Sequence, residues 1–250
     1  MSRYFITLAY NGKNYVGWQI QPNGMSVQQT LQEALSTILR QEIEIVGAGR
    51  TDAGVHARMM VAHFDFNGEP YNPQDLTYKL NSFLPADIAV SAIRGVKPDA
   101  HARFSATSRT YKYYVTTEKD PFLNELKYRV FFEPDMKLMN TLAEILKEYT
   151  DFTSFSKLHT DVKTNNCTVE FARWEQVGEH DFVFTIRADR FLRNMVRAIV
   201  GTLLEAGRGR LDERGLRRII ETKDRAVAGD SVPGHALFLE EVTYPEDIWL

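Results

Sequence analysis

Apolar and aromatic residues run through 3–10, and a polar loop with three glycines and Pro22 follows at 11–25. Ser26 with Gln29 three residues later is a capping-box signature. Behind it Val27, Leu31, Ala34, Leu35 and Ile38 share one helical face. Two more apolar runs, 43–48 and 59–66, read as strands. In the second, Met60, Ala62, Phe64 and Phe66 fall on one side. Asn72 and Pro73 supply the cap and first turn of a second helix, with Leu76, Leu80, Phe83 and Leu84 inward and Pro85 as its end. A strand at Ile88–Val96 completes the order β-α-β-β-α-β, a split βαβ unit.

The second half repeats this order. A tyrosine- and threonine-rich strand covers 108–117. Asp135 caps a helix with Leu138, Leu142, Ile145, Leu146 and Tyr149 on one face. Strands at 167–177 and 182–188 form a hairpin. A helix at 191–206 is stopped by Gly207, Asp212 caps a short extra helix, and a strand at 237–244 closes the chain. The pattern predicts an α+β protein of two ferredoxin-like halves, 1–102 and 103–250. No Gly/Ser linker separates them, so the expectation is one extended, mainly antiparallel sheet with helices on one face and a central cleft.

Composition narrows the classes. A chain of 250 residues with 44% hydrophobic content can bury a substantial core. The one cysteine, Cys167, excludes an intrachain disulfide and fits a reducing, cytoplasmic compartment. Its apolar neighbours make it a buried thiol rather than a nucleophile. Neither a signal pattern nor an apolar run of membrane-spanning length is present. The net charge of −3 does not favour nucleic acid. The distribution does: nine arginines face four acids between 187 and 218. A phosphate-binding surface and a solvated helix face of mixed charge both fit that cluster.

The sharpest candidate for chemistry is the string Gly49-Arg50-Thr51-Asp52-Ala53-Gly54-Val55-His56-Ala57 between two strands. Its glycines permit a tight turn or a close approach. Arg-x-Asp-x-Gly alone is ordinary Asx-turn chemistry. His56 reads as a brace for the loop. Histidines at metal-ligand spacing, a Cys-x-x-Cys pair and the glycine patterns of nucleotide cofactors are all missing, so neither a metal nor a cofactor is indicated.

The whole string resembles the signature loop of the tRNA pseudouridine synthase A family. Arg109-Thr110-Tyr111-Lys112-Tyr113 resembles that family's second motif, and the stretch from Phe191 through Arg193 and Arg197 to Gly201 its third. Ala102-Arg103-Phe104-Ser105-Ala106, Val232-Pro233-Gly234-His235-Ala236-Leu237 and Tyr244-Pro245 extend the likeness through most of the chain. Met59 and Met60 stand where the family often has a small residue and Gln. The segment 155–166 keeps Lys157, His159 and Lys163 but otherwise matches poorly.

The resemblance implies a cofactor-free isomerase. It would convert uridine to pseudouridine at positions 38, 39 and 40 of the tRNA anticodon stem-loop, as a homodimer. It implies Asp52 as nucleophile, Tyr111 beside the target base and Arg197 as partner to the Asp52 carboxylate. Arg50 would occupy the space vacated by a flipped base. Arg103, Arg109, Arg190 and Arg193 would bind the RNA, the last two sharing a helical side with Arg197 at spacings of seven and four. Tyr113 has the parity of Tyr111 but reads as filling the strand face. Two other classes compete: a non-catalytic RNA-binding module, which needs the arginines alone, and a metal-assisted phosphodiesterase built on Asp52, His56 and Asp65.

Overall fold

The computed structural model describes residues 2–69, 71–157 and 164–250. Strands and helices alternate in a mixed α+β architecture whose sheet pairing is mainly antiparallel, with five α-helices among the described residues. The chain divides into two compact units, Met1–Thr107 with Leu239–Leu250, and Ser108–Phe238. The sequence pattern puts the division at 102 and keeps the last strand wholly with the second half. In the structure the residues from Leu239 onward pack with the first unit.

The first unit is built from β1 (Ser2–Tyr10), α1 (Val27–Leu39), β2 (Ile45–Gly47), β3 (His56–Phe66), α2 (Pro73–Phe83) and β4 (Ile88–Val96). β1 lies between β3 and β4, antiparallel to both, and β2 pairs with β3 over three residues. The caps fall where the sequence puts them. Ser26 Oγ accepts from Gln29 N at 3.2 Å, but Gln29 reaches forward to Glu33 instead of closing the box. Asn72 accepts from the amides of Gln74 and Asp75.

Tyr4, Phe64, Phe66 and Ile93 meet Leu39 of α1 and Leu76 of α2 on one sheet face. The opposite face is covered as well. Phe5 packs edge-on against Tyr244 and Trp249, with ring centroids 5.1 and 5.7 Å away. β3 is therefore buried on both sides, and Val61 and His63 are as hidden as Met60 and Phe64. Phe83 does not turn inward; it is 57% exposed, because α2 buries only Leu76 and Leu80 before the chain leaves the helix at Leu84.

The second unit holds β5 (Ser108–Thr116), β6 (Tyr128–Arg129), α3 (Met136–Ile145), β7 (Val169–Gln176), β8 (Asp181–Ala188), α4 (Met195–Gly207) and α5 (Glu213–Thr222). β8 is central, antiparallel to β5 and β7, while the short β6 adds a parallel pair that the pattern does not reveal. The Asn140 side chain on α3 both donates to Trp174 O and accepts from Trp174 N, pinning the helix to β7. Asp135 and Asp212 cap α3 and α5 as expected. The closing strand β9 (Leu237–Thr243) begins in this unit.

One helix departs from expectation at both ends. α4 starts at Met195, not 191, because Asn194 adopts a left-handed backbone (φ 68°, ψ 0°) that no helix continues through. Gly207 stays inside it, and the left-handed stop belongs to Gly209 (φ 74°).

Candidate active site

Asp52 lies in the connection between β2 and β3, half-buried between Thr51 and Val55, which are both buried. The loop is fixed mainly through its backbone. Ala48 N donates to Val61 O at 2.7 Å, and Val55 N to Asp52 O at 3.2 Å. From the loop after β1, Trp18 N donates to Thr51 O at 3.2 Å, and Gly54 N donates to Tyr15 O at 3.4 Å. Tyr10 OH and Thr51 Oγ1 share a buried 2.9 Å hydrogen bond. His56 is 2% exposed, and its Nδ1 accepts from Gly12 N at 2.9 Å, so it does brace this region. A Cβ on Gly12 would sit 2.1 Å from Val55 O, and one on Gly17 (φ 114°) 2.3 Å from Thr51 O. Gly54 (φ 75°) makes the turn after Asp52, whereas Gly49 has open space around it and no left-handed angle, so it does not act as the second pivot. Arg50 is exposed.

In the second unit Tyr111 is half-buried on β5, edge-on to Phe191 at 5.1 Å. Arg109 Nη1 donates to Asp189 O at 2.8 Å, and Asp189 Oδ1 accepts from the amides of Thr168 and Arg190. Tyr111, Arg109, Phe191 and Arg190 thus cluster at one end of the β5–β8 pair. Arg197 Nε donates to Val232 O at 2.7 Å, and Arg197 O accepts from Val232 N at 3.3 Å, which ties the start of α4 to the 232–233 segment. Tyr113 is fully buried and its OH donates to Pro233 O at 2.9 Å. Burial pushes its phenol well above the ordinary value and the Arg197 charge opposes the rise. Filling is what Tyr113 does.

A family model described as tRNA pseudouridine synthase matches residues 6–105 and 149–245. The chain is 64% identical over 249 residues to the tRNA pseudouridine synthase A of Parabacteroides distasonis, covering 100% of this chain and 98% of that one. It is 62% identical over 251 residues to the protein of that name from Bacteroides thetaiotaomicron, with 100% and 93% covered. To the one from Colwellia psychrerythraea it is 37% identical over 250 residues, with 99% and 96% covered. The chain belongs to the tRNA pseudouridine synthase family. It is an isomerase acting on tRNA, by virtue of that membership.

Several expectations about this synthase's site need correction. Arg190 and Arg193 do not share a helical side with Arg197, because the left-handed Asn194 separates them from α4. Arg193 is exposed and its carbonyl accepts from Lys157 N. The nine-arginine cluster is also partly committed. Glu205 takes Arg208 and Arg210 at 3.4 Å each, while Arg217 pairs with Glu148 at 2.6 Å and Glu213 at 3.0 Å. That part of the cluster is a solvated face of mixed charge.

Arg103 is exposed on a turn whose amides at 103 and 104 donate to His101 Nδ1. The groups of the phosphodiesterase alternative are engaged elsewhere. Asp65 receives Arg3 through two bonds of 2.8 and 2.7 Å, and His56 Nδ1 is used by Gly12. No group of three or more ligating side chains occurs among the described residues. Burial pushes the Cys167 thiol up to about 12, the state of an inert core cysteine. His159 and Lys163 lie outside the described residues. No described helix is long and apolar enough to cross a membrane.

Sequence reasoning overlooked the segment 10–18. Gly12 and Gly17 look like loop punctuation, and Tyr15 and Trp18 like isolated aromatics, until their contacts to 51–56 are seen.

Proposed function

We propose that this chain converts uridine to pseudouridine at positions 38, 39 and 40 of the tRNA anticodon stem-loop, with Asp52 as nucleophile and without a cofactor. The observation that carries the reading is the setting of Asp52. A single half-buried carboxylate sits in a loop fixed on both sides by buried hydrogen bonds, within a chain of this family. A carboxylate is a weak nucleophile, and positioning matters more to it than basicity.

The chemistry conserves every atom. Asp52 attacks the sugar C1′ or uracil C6, the N1–C1′ bond breaks, the base turns, C5 bonds to C1′, and the bond from carbon to the Asp52 carboxylate breaks to return the free acid group. The proton on C5 leaves and N1 takes one up. Oxidant, reductant and energy-rich group are all dispensable. The uridine must leave its stack first. The first unit supplies Asp52 and Arg50, the latter to fill the vacated place. From the second, the resemblance assigns Tyr111 to the flipped base and Arg197 to the Asp52 carboxylate. Arg103, Arg109, Arg190 and Arg193 bind phosphates by shape rather than sequence. A cytoplasmic homodimer gripping one folded tRNA completes the reading.

The test is tritium release from tRNA carrying 5-tritiated uridine. The wild type releases tritium. Asp52→Asn binds tRNA with unchanged affinity and releases none above background. Retained turnover in that variant rejects Asp52 as nucleophile, and tRNA binding without release by the wild type makes the chain an RNA-binding module instead.

A further inference from the structure

The loop that carries Asp52 is tied to its own sheet at Ala48, whose amide donates to Val61 O, and beyond that point it leaves the ladder. β2 ends at Gly47 and β3 begins at His56, so amides and carbonyls between them need partners elsewhere. Two of those partners, Trp18 N for Thr51 O and Tyr15 O for Gly54 N, belong to 10–18, and that segment is itself anchored. Tyr15 is 7% exposed and its OH donates to Asp87 Oδ1 at 2.6 Å. Asn14 Nδ2 donates to Asp87 Oδ2 at 3.2 Å, and Asn11 N donates to Asp87 O at 2.9 Å. Asp87 immediately precedes β4, so the anchor point sits on the edge of the sheet, away from the loop in sequence by 35 positions. A chain of hydrogen bonds then runs from Asp87 through Tyr15 to Gly54, whose amide donates to the Tyr15 carbonyl at 3.4 Å. A parallel one runs from Asn11 through Gly12 to His56.

We propose that Tyr15 and His56 are positioning residues for the reaction: through residues 11–18 they hold the backbone on either side of Asp52 in the orientation its carboxylate needs. This rests on the reading of Asp52 as nucleophile. Neither residue touches the reacting atoms. Each acts by fixing a stretch of backbone that lies between the two strands β2 and β3. The two glycines show how little slack exists, since a methyl group on either would meet a loop carbonyl at 2.1 or 2.3 Å. A nucleophile displaced by an ångström loses up to about a hundredfold in rate.

The experiment uses the full chain with tRNA. Tyr15→Phe keeps the ring and removes the anchor bond. His56→Leu removes the acceptor for Gly12 N, and His56→Asn restores an oxygen near the position of Nδ1. Tyr15→Phe and His56→Leu are expected to lower kcat by about tenfold to a hundredfold with KM for tRNA unchanged. His56→Asn recovers most of the loss. Hydrogen exchange at the amides of Trp18, Gly54 and Val55 speeds up in the two slow variants and not in His56→Asn.

Unchanged kcat in Tyr15→Phe, or unchanged exchange at those amides, overturns the proposal. A KM rise that accounts for the whole loss of kcat/KM also overturns it, because the residues then serve binding. Asp52→Asn run alongside separates the two failures. If it is dead while Tyr15→Phe is fully active, only the brace is wrong. If it turns over, the nucleophile reading falls on its own evidence.

Discussion

β2–β3 in the first unit and β7–β8 in the second occupy the same place in the same β-α-β-β-α-β order, yet their connections are built oppositely. β7 and β8 stay paired nearly to their ends, and Val177 N closes the turn on Asp181 O at 2.9 Å. The turn closes on its own hairpin, with one further backbone bond from Thr117 N to His180 O at 2.9 Å. β2 and β3 pair over three residues, and eight residues separate Gly47 from His56. Among those eight, Thr51 O and Gly54 N are satisfied by a different loop, Ala48 N by β3 and Val55 N by Asp52 O. A connection that closes on itself can only be a turn. One that depends on a neighbour can present a side chain such as Asp52 in a fixed orientation, at the cost of depending on every residue of that neighbour.

The two central strands differ in the same sense. β3 and β8 are both buried on two faces. β8 fills that environment with Phe182, Val183, Phe184 and Ile186, and β3 places His56 and His63 in it.

The comparison can be broken, with the largest effect at Gly17. Gly17→Ala adds a methyl against the Thr51 carbonyl and strains a φ of 114°. It should destabilise the chain by about 3 kcal/mol, read from denaturant midpoints, and slow turnover further. A loss under about 1 kcal/mol would mean that the two loops are not locked together.

The histidine on β3 gives a smaller effect, visible only against pH. Burial, with the nearby charges of His101 and Arg3, lowers His63 from 6.5 to about 4, and its Nδ1 accepts from Ala102 N at 3.1 Å. The unfolded chain takes up this proton near pH 6.5 and the folded chain near 4. Between those values the unfolded state binds the extra proton, so stability is full above pH 6.5 and falls as pH drops toward 4. The fall should reach about 2 kcal/mol by pH 5, and His63→Asn, which keeps an acceptor for Ala102, should lose that part of the slope. Equal slopes in the two proteins would remove the contrast between β3 and β8.

The smallest effect belongs to the second hairpin. Gly178→Ala meets Asp181 Cβ at 3.4 Å, an ordinary contact, with no left-handed angle to strain. Stability should stay within about 0.5 kcal/mol of the wild type and turnover should not change. A large loss there would show that the β7–β8 turn depends on a neighbour after all.

Local signals were legible because each is satisfied within a few residues. The caps at Ser26, Asn72, Asp135 and Asp212 bond to amides two or three positions ahead, and the periodicity behind them marks the helices. The signature string around Asp52 was equally legible, as was the bracing part played by His56. The helix expected from 191 was not, because nothing in the letters Arg193-Asn194-Met195 requires a left-handed residue; Asn194 Nδ2 bonds to Ser231 Oγ, 37 positions away.

By itself the sequence determined the order of the α-helices and of the strands other than the short β6, the fold class and the family, since hydrophobic periodicity, capping chemistry and motif strings are all short-range. Tertiary structure decided what fixes the loop that carries Asp52. A glycine matters at 12 and 17 because of a carbonyl that arrives there from 55 or 51, and Tyr15 matters because Asp87 comes within 2.6 Å of it. Such contacts join residues tens of positions apart, and a linear pattern carries no distance between them.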